Sequence, residues 1–299
     1  MSTVDQQVNK QYSPRFWSKR LPEHEILERH IKFINSVPEK IKSEIPFISD
    51  LQYGEKPTNL VDIYGADLDK GSPIYVHLHG GYWKILSKND SNYVVRPFWK
   101  AKIKTFIPDY DLTPKVSLEE IIQDVRVMAK YVFQMAIDNG VRSVWFGGHS
   151  AGGHLSACLL DEAWLSSLEP SYKAIFKGVF LISGLYDLLP LLKTEQNENL
   201  MLDSSRAVAL SPAHNVHDLM KKSLLNKNFK VFIVAAEYDS PAFIEQSFNY
   251  AEKLKKVNMN VEYHLWPNVD HFDLAEQLYD ETYDLSKKII SLIKENGKS

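Results

Sequence analysis

A single cysteine, Cys158, stands among 299 residues. No intrachain disulfide can form, and no thiolate cluster can hold a metal. One thiol fits a reducing compartment, so a cytoplasmic setting is expected. Long apolar runs are missing as well. No stretch reaches 18 uninterrupted apolar residues, so no membrane span is predicted. Residues 1–10 are polar, with charges at Asp5 and Lys10, and lack the apolar stretch of a secretion signal. Nor does one sign of charge dominate: 35 basic residues face 38 acidic ones, for a net charge of −3. That excludes the basic footprint of a nucleic-acid binder. The lysines at 221–222 and within 253–256 read as solvated helix faces. There is no internal repeat and no low-complexity tract.

What is present is core material. Hydrophobic residues make up 44% of the chain. Area scaling gives roughly 13,000 Å² folded against roughly 50,000 Å² unfolded, so about three quarters of the surface can be buried. Length alone suggests about two domains. The pattern argues for one, spanning 1–299. Short β-rich runs at 48–53, 60–64, 74–79, 104–107, 141–146, 176–182, 229–235 and 261–266 alternate with helical periodicity. The helices are predicted at 23–35, 118–136, 151–163, 241–256 and 274–293. Strands alternating with helices point to an α/β fold with a mostly parallel, eight-stranded sheet flanked by helices. The first two strands have no helix between them and should form an antiparallel edge. Residues 1–45 form a helical segment expected to pack outside. Residues 185–225 break the alternation and read as a small helical cap above the strand ends, where sites of α/β sheets lie.

Two loops carry chemistry. Gly148-His149-Ser150-Ala151-Gly152 matches G-x-S-x-G, with a strand before it and a helix after it. A serine in such a tight turn projects its hydroxyl above the sheet, and side chains at Gly148 or Gly152 would collide with backbone. The earlier His79-Gly80-Gly81-Tyr82 follows a strand. Its glycines can offer backbone N–H groups to a developing oxyanion, together with the N–H of Ala151.

A serine hydroxyl needs a base, and the base an orienting acid. On this pattern they follow the nucleophile in the order acid, then base. Asp239 follows the strand at 229–235, and His271 follows the last strand; both are expected in loops at strand ends. Glu237 is a rival acid and Asp270 another. His214, His217 and His264 are rival bases. His77 and His79 share a strand face and could meet one metal ion, but the carboxylate and histidine of a metallohydrolase do not follow. Cys158 reads as a small buried residue.

These residues resemble a known family. The pair His79-Gly80-Gly81 and Gly148-His149-Ser150-Ala151-Gly152 is similar to the hormone-sensitive-lipase-like branch of α/β-hydrolases. The continuations Tyr82-Trp83 and Gly153-His154-Leu155, with the start Gln11-Tyr12-Ser13-Pro14-Arg15-Phe16-Trp17, resemble the kynurenine formamidases (arylformamidases). The resemblance implies hydrolysis of N-formyl-L-kynurenine to L-kynurenine and formate. It implies Ser150 as nucleophile, Asp239 as acid, His271 as base, and Gly80, Gly81 and Ala151 as the oxyanion hole. Neither cofactor nor metal is required. The partner is a small aromatic formamide, with no nucleic acid or membrane, and a homodimer is compatible with the chain. Tyr82, Trp83, Phe243 and Phe272 are candidate walls for the aromatic leaving group, with core packing as the competing role for each. A short-acyl carboxylesterase, or a non-catalytic binding protein of the same fold, are the alternatives.

Overall fold

The computed structural model describes residues 4–296. Eight strands build one sheet: β1 (Phe47–Gln52), β2 (Leu60–Tyr64), β3 (Ile74–Leu78), β4 (Lys104–Pro108), β5 (Val144–His149), β6 (Phe176–Ile182), β7 (Lys230–Tyr238) and β8 (Val261–Asp270). Their order is β1-β2-β4-β3-β5-β6-β7-β8. β1 and β2 pair antiparallel, as do β2 and β4; every pairing from β4 to β8 is parallel. The antiparallel edge comes from a tight turn. Tyr53 N–H donates to Asn59 O at 2.8 Å, and Asn59 N–H donates to Lys56 O at 2.9 Å.

The helices are α1 (Gln6–Gln11), α2 (Glu23–Glu44), α3 (Val95–Lys100), α4 (Leu118–Asp138), α5 (Ala151–Ala157), α6 (Glu162–Ser166), α7 (Pro170–Ile175), α8 (Asn197–Leu200), α9 (Ser204–Ala209), α10 (Pro241–Lys256), α11 (His271–Glu276) and α12 (Asp284–Asn296). Successive strand residues point to opposite faces, and this sorts the core into two layers. Val76, Phe146, Leu181 and Ile233 pack with α4, α5 and α10 on one face. Tyr75, Trp145, Phe180 and Phe232 pack with α2, α3 and α12 on the other. Covered on both sides, β3, β5 and β6 are buried along their whole length, which is why they read as continuous apolar runs.

Several boundaries differ from expectation. β5 begins at Val144, not 141, because Val141 N–H closes the end of α4 by donating to Ala136 O at 2.8 Å. The helix expected over 151–163 stops at Ala157; Asp161 then caps α6 by accepting from Trp164 N–H at 2.8 Å. The pattern at 274–293 is two helices. Asp280 interrupts it, accepting from Thr282 N–H at 2.7 Å in an Asx turn. α3 had no helical signal: it is short, and Pro97 sits in its first turn, where a missing N–H costs nothing. α2 runs past the expected 35 to Glu44, with Pro38 inside it. No helix among the described residues is long and apolar enough to cross a membrane.

Four buried histidines surround the upper ends of β3 and β5. Burial pushes His77 down to about 3 and both His79 and His154 down to about 4, and holds His149 well below the ordinary imidazole value. Above pH ~6.5 these rings are neutral in both folded and unfolded chains. Below it the unfolded chain takes up protons that the folded chain refuses, so stability falls as pH falls. Each such proton adds about 1.4 kcal/mol per pH unit to the slope. Urea unfolding should therefore show a clearly lower midpoint at pH 5.5 than at pH 7.0; equal midpoints would contradict the burial account.

Candidate active site

Ser150 follows β5 directly, with φ 57° and ψ −117°. A side chain is costly in that region of backbone space, so the turn must be held from outside. The glycines around it do this by close approach. A β-carbon at Gly148 would lie 2.5 Å from Leu78 O, and one at Gly152 only 2.0 Å from the same oxygen. The end of β3 thus touches the elbow backbone. Ser150 N–H donates to Ile182 O at 2.9 Å, tying the turn to the end of β6.

The loop after β3 starts in a cage. The His79 ring stacks on Tyr110 at 4.0 Å, and Tyr110 Oη donates to His79 O at 2.8 Å. Gly80 then passes Ser150: a β-carbon there would lie 3.4 Å from Ser150 Cβ. Gly81 has φ 98°, and a β-carbon there would meet Ile85 O at 2.3 Å. Tyr82 and Trp83 also have positive φ. Partners hold this strained loop. Tyr82 Oη donates to Tyr12 O, and Trp83 O accepts from Thr113 N–H at 2.8 Å.

Asp239 and His271 meet. His271 Nδ1 lies 2.7 Å from Asp239 Oδ1, and both side chains are sealed from solvent. The other carboxylate oxygen accepts from Ser183 Oγ at 2.5 Å and from Ala236 N–H at 3.1 Å. Ser183, the residue after β6, carried no signal in the sequence. Only the adjacency of β6 and β7 brings it to Asp239. His271 is not in a loop, as expected, but is the first residue of α11. Asp270 caps that helix, accepting from Phe272 N–H at 2.9 Å and Asp273 N–H at 2.8 Å. Arg20 grips Asp270 with Nε at 2.8 Å and Nη2 at 2.9 Å, and reaches Glu276 with Nη1 at 2.9 Å. Burial alone would raise the Asp270 carboxyl, but Arg20 and Ser18 hold it below the usual carboxylate range.

The rivals are engaged elsewhere. Asp270 serves the cap and Arg20. Glu237 is exposed and accepts from Asn268 N–H at 2.7 Å. His214 faces Asp187, His217 faces Glu162 and His264 faces Glu262. His77 Nδ1 lies 2.9 Å from Tyr75 Oη. Among the described residues no group of three or more His, Cys, Asp or Glu side chains could hold a metal ion. Burial pushes the Cys158 thiol up to about 12, far from nucleophilic use at neutral pH.

A cavity of about 440 Å³ opens over these groups, lined by Ser150, His271, Gly80, Gly81, Tyr82 and Phe272 among others. No hydrogen bond joins Ser150 to His271 among the described residues; such contacts often tighten only with substrate. Trp83 and Phe243 do not reach the cavity. Positive φ turns Trp83 inward, where it is fully buried against His154 with ring centroids 4.9 Å apart. Phe243 packs edge-on against the His271 ring at 5.0 Å. The N-terminal segment does not merely pack outside. Ser13, Pro14 and Arg15, with Leu27, His30 and Ile31 of α2, form one cavity wall. Of the 185–225 stretch only Glu195 and Gln196 reach the cavity.

Residues 75–274 match a family model described as the alpha/beta hydrolase fold. The kynurenine formamidase of Salmo salar is 32% identical, over 98% of this chain and 97% of its own length. That of Danio rerio is 31% identical, over 98% and 97%. The chain belongs to the kynurenine formamidase family of α/β-hydrolases. It is a hydrolase of the formamidase class. A hormone-sensitive lipase from a metagenome library shares the fold, with a TM-score of 0.66 at 17% identity, over 99% of this chain and 98% of that one.

In this formamidase-family chain the contact between Leu78 and the elbow sets a steric test. Gly152→Ala forces a methyl group into backbone, and should cost about 3 kcal/mol or more, by overpacking. Gly140→Ala, where φ is 71° but nothing lies within 4 Å, should cost only about 1 kcal/mol. Thermal melts should place the Gly152 variant well below the Gly140 variant; the reverse order would show that close approach is not the constraint.

Proposed function

We propose that this chain hydrolyses the formamide bond of N-formyl-L-kynurenine, giving L-kynurenine and formate, through a formyl-serine intermediate. The observation that carries this reading is the sealed Asp239–His271 pair at 2.7 Å, opening onto the same cavity as Ser150 and the Gly80-Gly81 loop. The family of the chain supplies the substrate. The single cysteine supports a reducing, cytoplasmic setting.

In the first step His271 takes the Ser150 proton as Oγ attacks the formyl carbon. The oxyanion is stabilised by the backbone N–H groups of Gly80, Gly81 and Ala151. The C–N bond breaks, and His271 returns its proton to the departing aniline nitrogen. Water then attacks the formyl ester by the same route, releasing formate and restoring the serine. Asp239 holds the imidazole tautomer and stabilises the imidazolium. Ser183 and the Ala236 N–H fix Asp239 in turn. A formyl group is small, so most of the cavity serves the aromatic side, with Tyr82 and Phe272 as walls.

Mixing the purified protein with N-formyl-L-kynurenine should produce the absorbance of kynurenine, with a higher kcat/KM than for a short aryl ester. No turnover of the formamide, or a preference for the ester, would overturn the reading. Ser150→Ala should lower kcat by ~10⁶. Ser183→Ala removes one charge-assisted hydrogen bond to Asp239 and should lower kcat by roughly 10- to 100-fold with KM little changed. Unaltered steady-state kinetics in that variant would show that Ser183 does not orient the acid.

A further inference from the structure

Three consecutive residues of the N-terminal segment, Ser18, Lys19 and Arg20, have no part in the reaction above. They belong to no helix or strand and do not line the cavity over Ser150. What they touch is specific. β7 and β8 end side by side, with Tyr238 and Asp270 as register partners. Asp239 and His271 are the next residues of each strand's chain. The segment grips both register partners. The Lys19 ammonium lies 3.8 Å from the centre of the Tyr238 ring. Ser18 Oγ donates to Asp270 Oδ2 at 2.6 Å. Arg20 takes both oxygens of the same carboxylate, with Nε at 2.8 Å and Nη2 at 2.9 Å. Ser18 Oγ also accepts from the Arg20 N–H at 3.2 Å, tying the segment to itself.

The grip extends along α11. Asp270, Asp273 and Glu276 follow one another at three-residue steps and so share one face. Their side chains are 1%, 15% and 7% exposed. Carboxylates so placed repel one another more strongly than they would in water. Arg20 reaches all three, with Nη1 3.2 Å from Asp273 Oδ1 and 2.9 Å from Glu276 Oε2. Among the described residues the only other basic side chain on them is His30, at Glu276. An exposed ion pair fixes little. Here a forked, mostly buried cation is shared by carboxylates that have no other strong partner, and taking away the one partner of buried charges is costly.

We propose that residues 18–20 form a positioning strap that sets His271 against Asp239. Held at Tyr238 and Asp270, the ends of β7 and β8 keep their register, and the 2.7 Å contact between Asp239 and His271 keeps its geometry. Arg20 is the chief positioning residue; it acts through Asp270 and α11 on His271. The inference rests on the reading of Asp239 and His271 as acid and base.

The test is steady-state kinetics on N-formyl-L-kynurenine, with a thermal melt of each variant. Arg20→Ala should lower kcat by roughly 100-fold, the scale of a ~1 Å misplacement, with KM changed by less than about threefold. Arg20→Lys, which keeps the charge but loses the fork, should lose roughly 10-fold. Ser18→Ala should lose roughly 3- to 10-fold. Methylguanidinium added to Arg20→Ala should restore part of kcat and saturate. A lower melting temperature with unchanged kcat per folded molecule would show a merely structural role and overturn the strap. So would a failure of methylguanidinium to restore any activity. If Arg20→Ala does not fold, full kcat in both Arg20→Lys and Ser18→Ala would overturn it instead. His271→Ala is the reference. An inactive His271→Ala beside fully active Arg20 variants overturns the strap alone, whereas a fully active His271→Ala overturns the acid–base reading beneath it.

Discussion

The site depends on one contact: the carbonyl oxygen of Leu78, at the end of β3, pressed against the backbone of Gly148 and Gly152. Parallel pairing of β3 with β5 brings these chain ends to the same level. The missing β-carbons then let the elbow seat directly on the start of the Gly80-Gly81 loop. Ser150 and the Gly80-Gly81 loop are thereby parts of one rigid block, not two loops that must find each other. The positive φ values of Ser150, Gly81, Tyr82 and Trp83 are concentrated in this block. Strain of that kind persists only where surrounding packing over-determines it, and the buried Trp83, Tyr110 and His154 supply the packing.

A second block carries His271. Both carboxylate oxygens of Asp239 are engaged, one by His271 and the other by Ser183 and the Ala236 N–H. A buried carboxylate so satisfied is not free to rotate, and the imidazole inherits its orientation. From the other side Arg20 locks Asp270 and Glu276, the two ends of the short helix that starts with His271. Glu276 in turn lies 2.9 Å from His30, so the cavity wall and the helix that starts with His271 share one polar network.

The sequence exposed those parts of the site whose requirements are local. G-x-S-x-G is legible because steric exclusion acts within five residues, and Asp239 and His271 because strand ends in a parallel sheet converge in a fixed order. Ser183 and Arg20 were hidden because their partners lie 56 and 250 residues away. Nothing in their own neighbourhood announces the pairing. Whether Trp83 and Phe243 face the cavity or the core was open in the sequence for a related reason. Proximity in sequence to Tyr82 or to Asp239 says nothing about direction once the backbone turns left-handed or a helix begins. The strand and helix pattern was clear where periodicity was long, as in α4. It blurred where a single capping aspartate, Asp161 or Asp280, cut an apolar rhythm that otherwise continues.

The N-terminal wall changes what counts as the working unit. Residues 75–274 contain the matched fold and all of Ser150, Asp239 and His271. Yet Pro14, Arg15 and the cavity face of α2 lie before that span, as does Arg20, while Tyr12 receives the Tyr82 hydroxyl from within it. A protein trimmed to the matched span would keep these three residues and lose one side of the cavity they face. The boundary of the fold and the boundary of the enzyme are therefore different lines on this chain. Sequence drift in the first 45 residues can retune what the cavity admits without touching Ser150, Asp239 or His271.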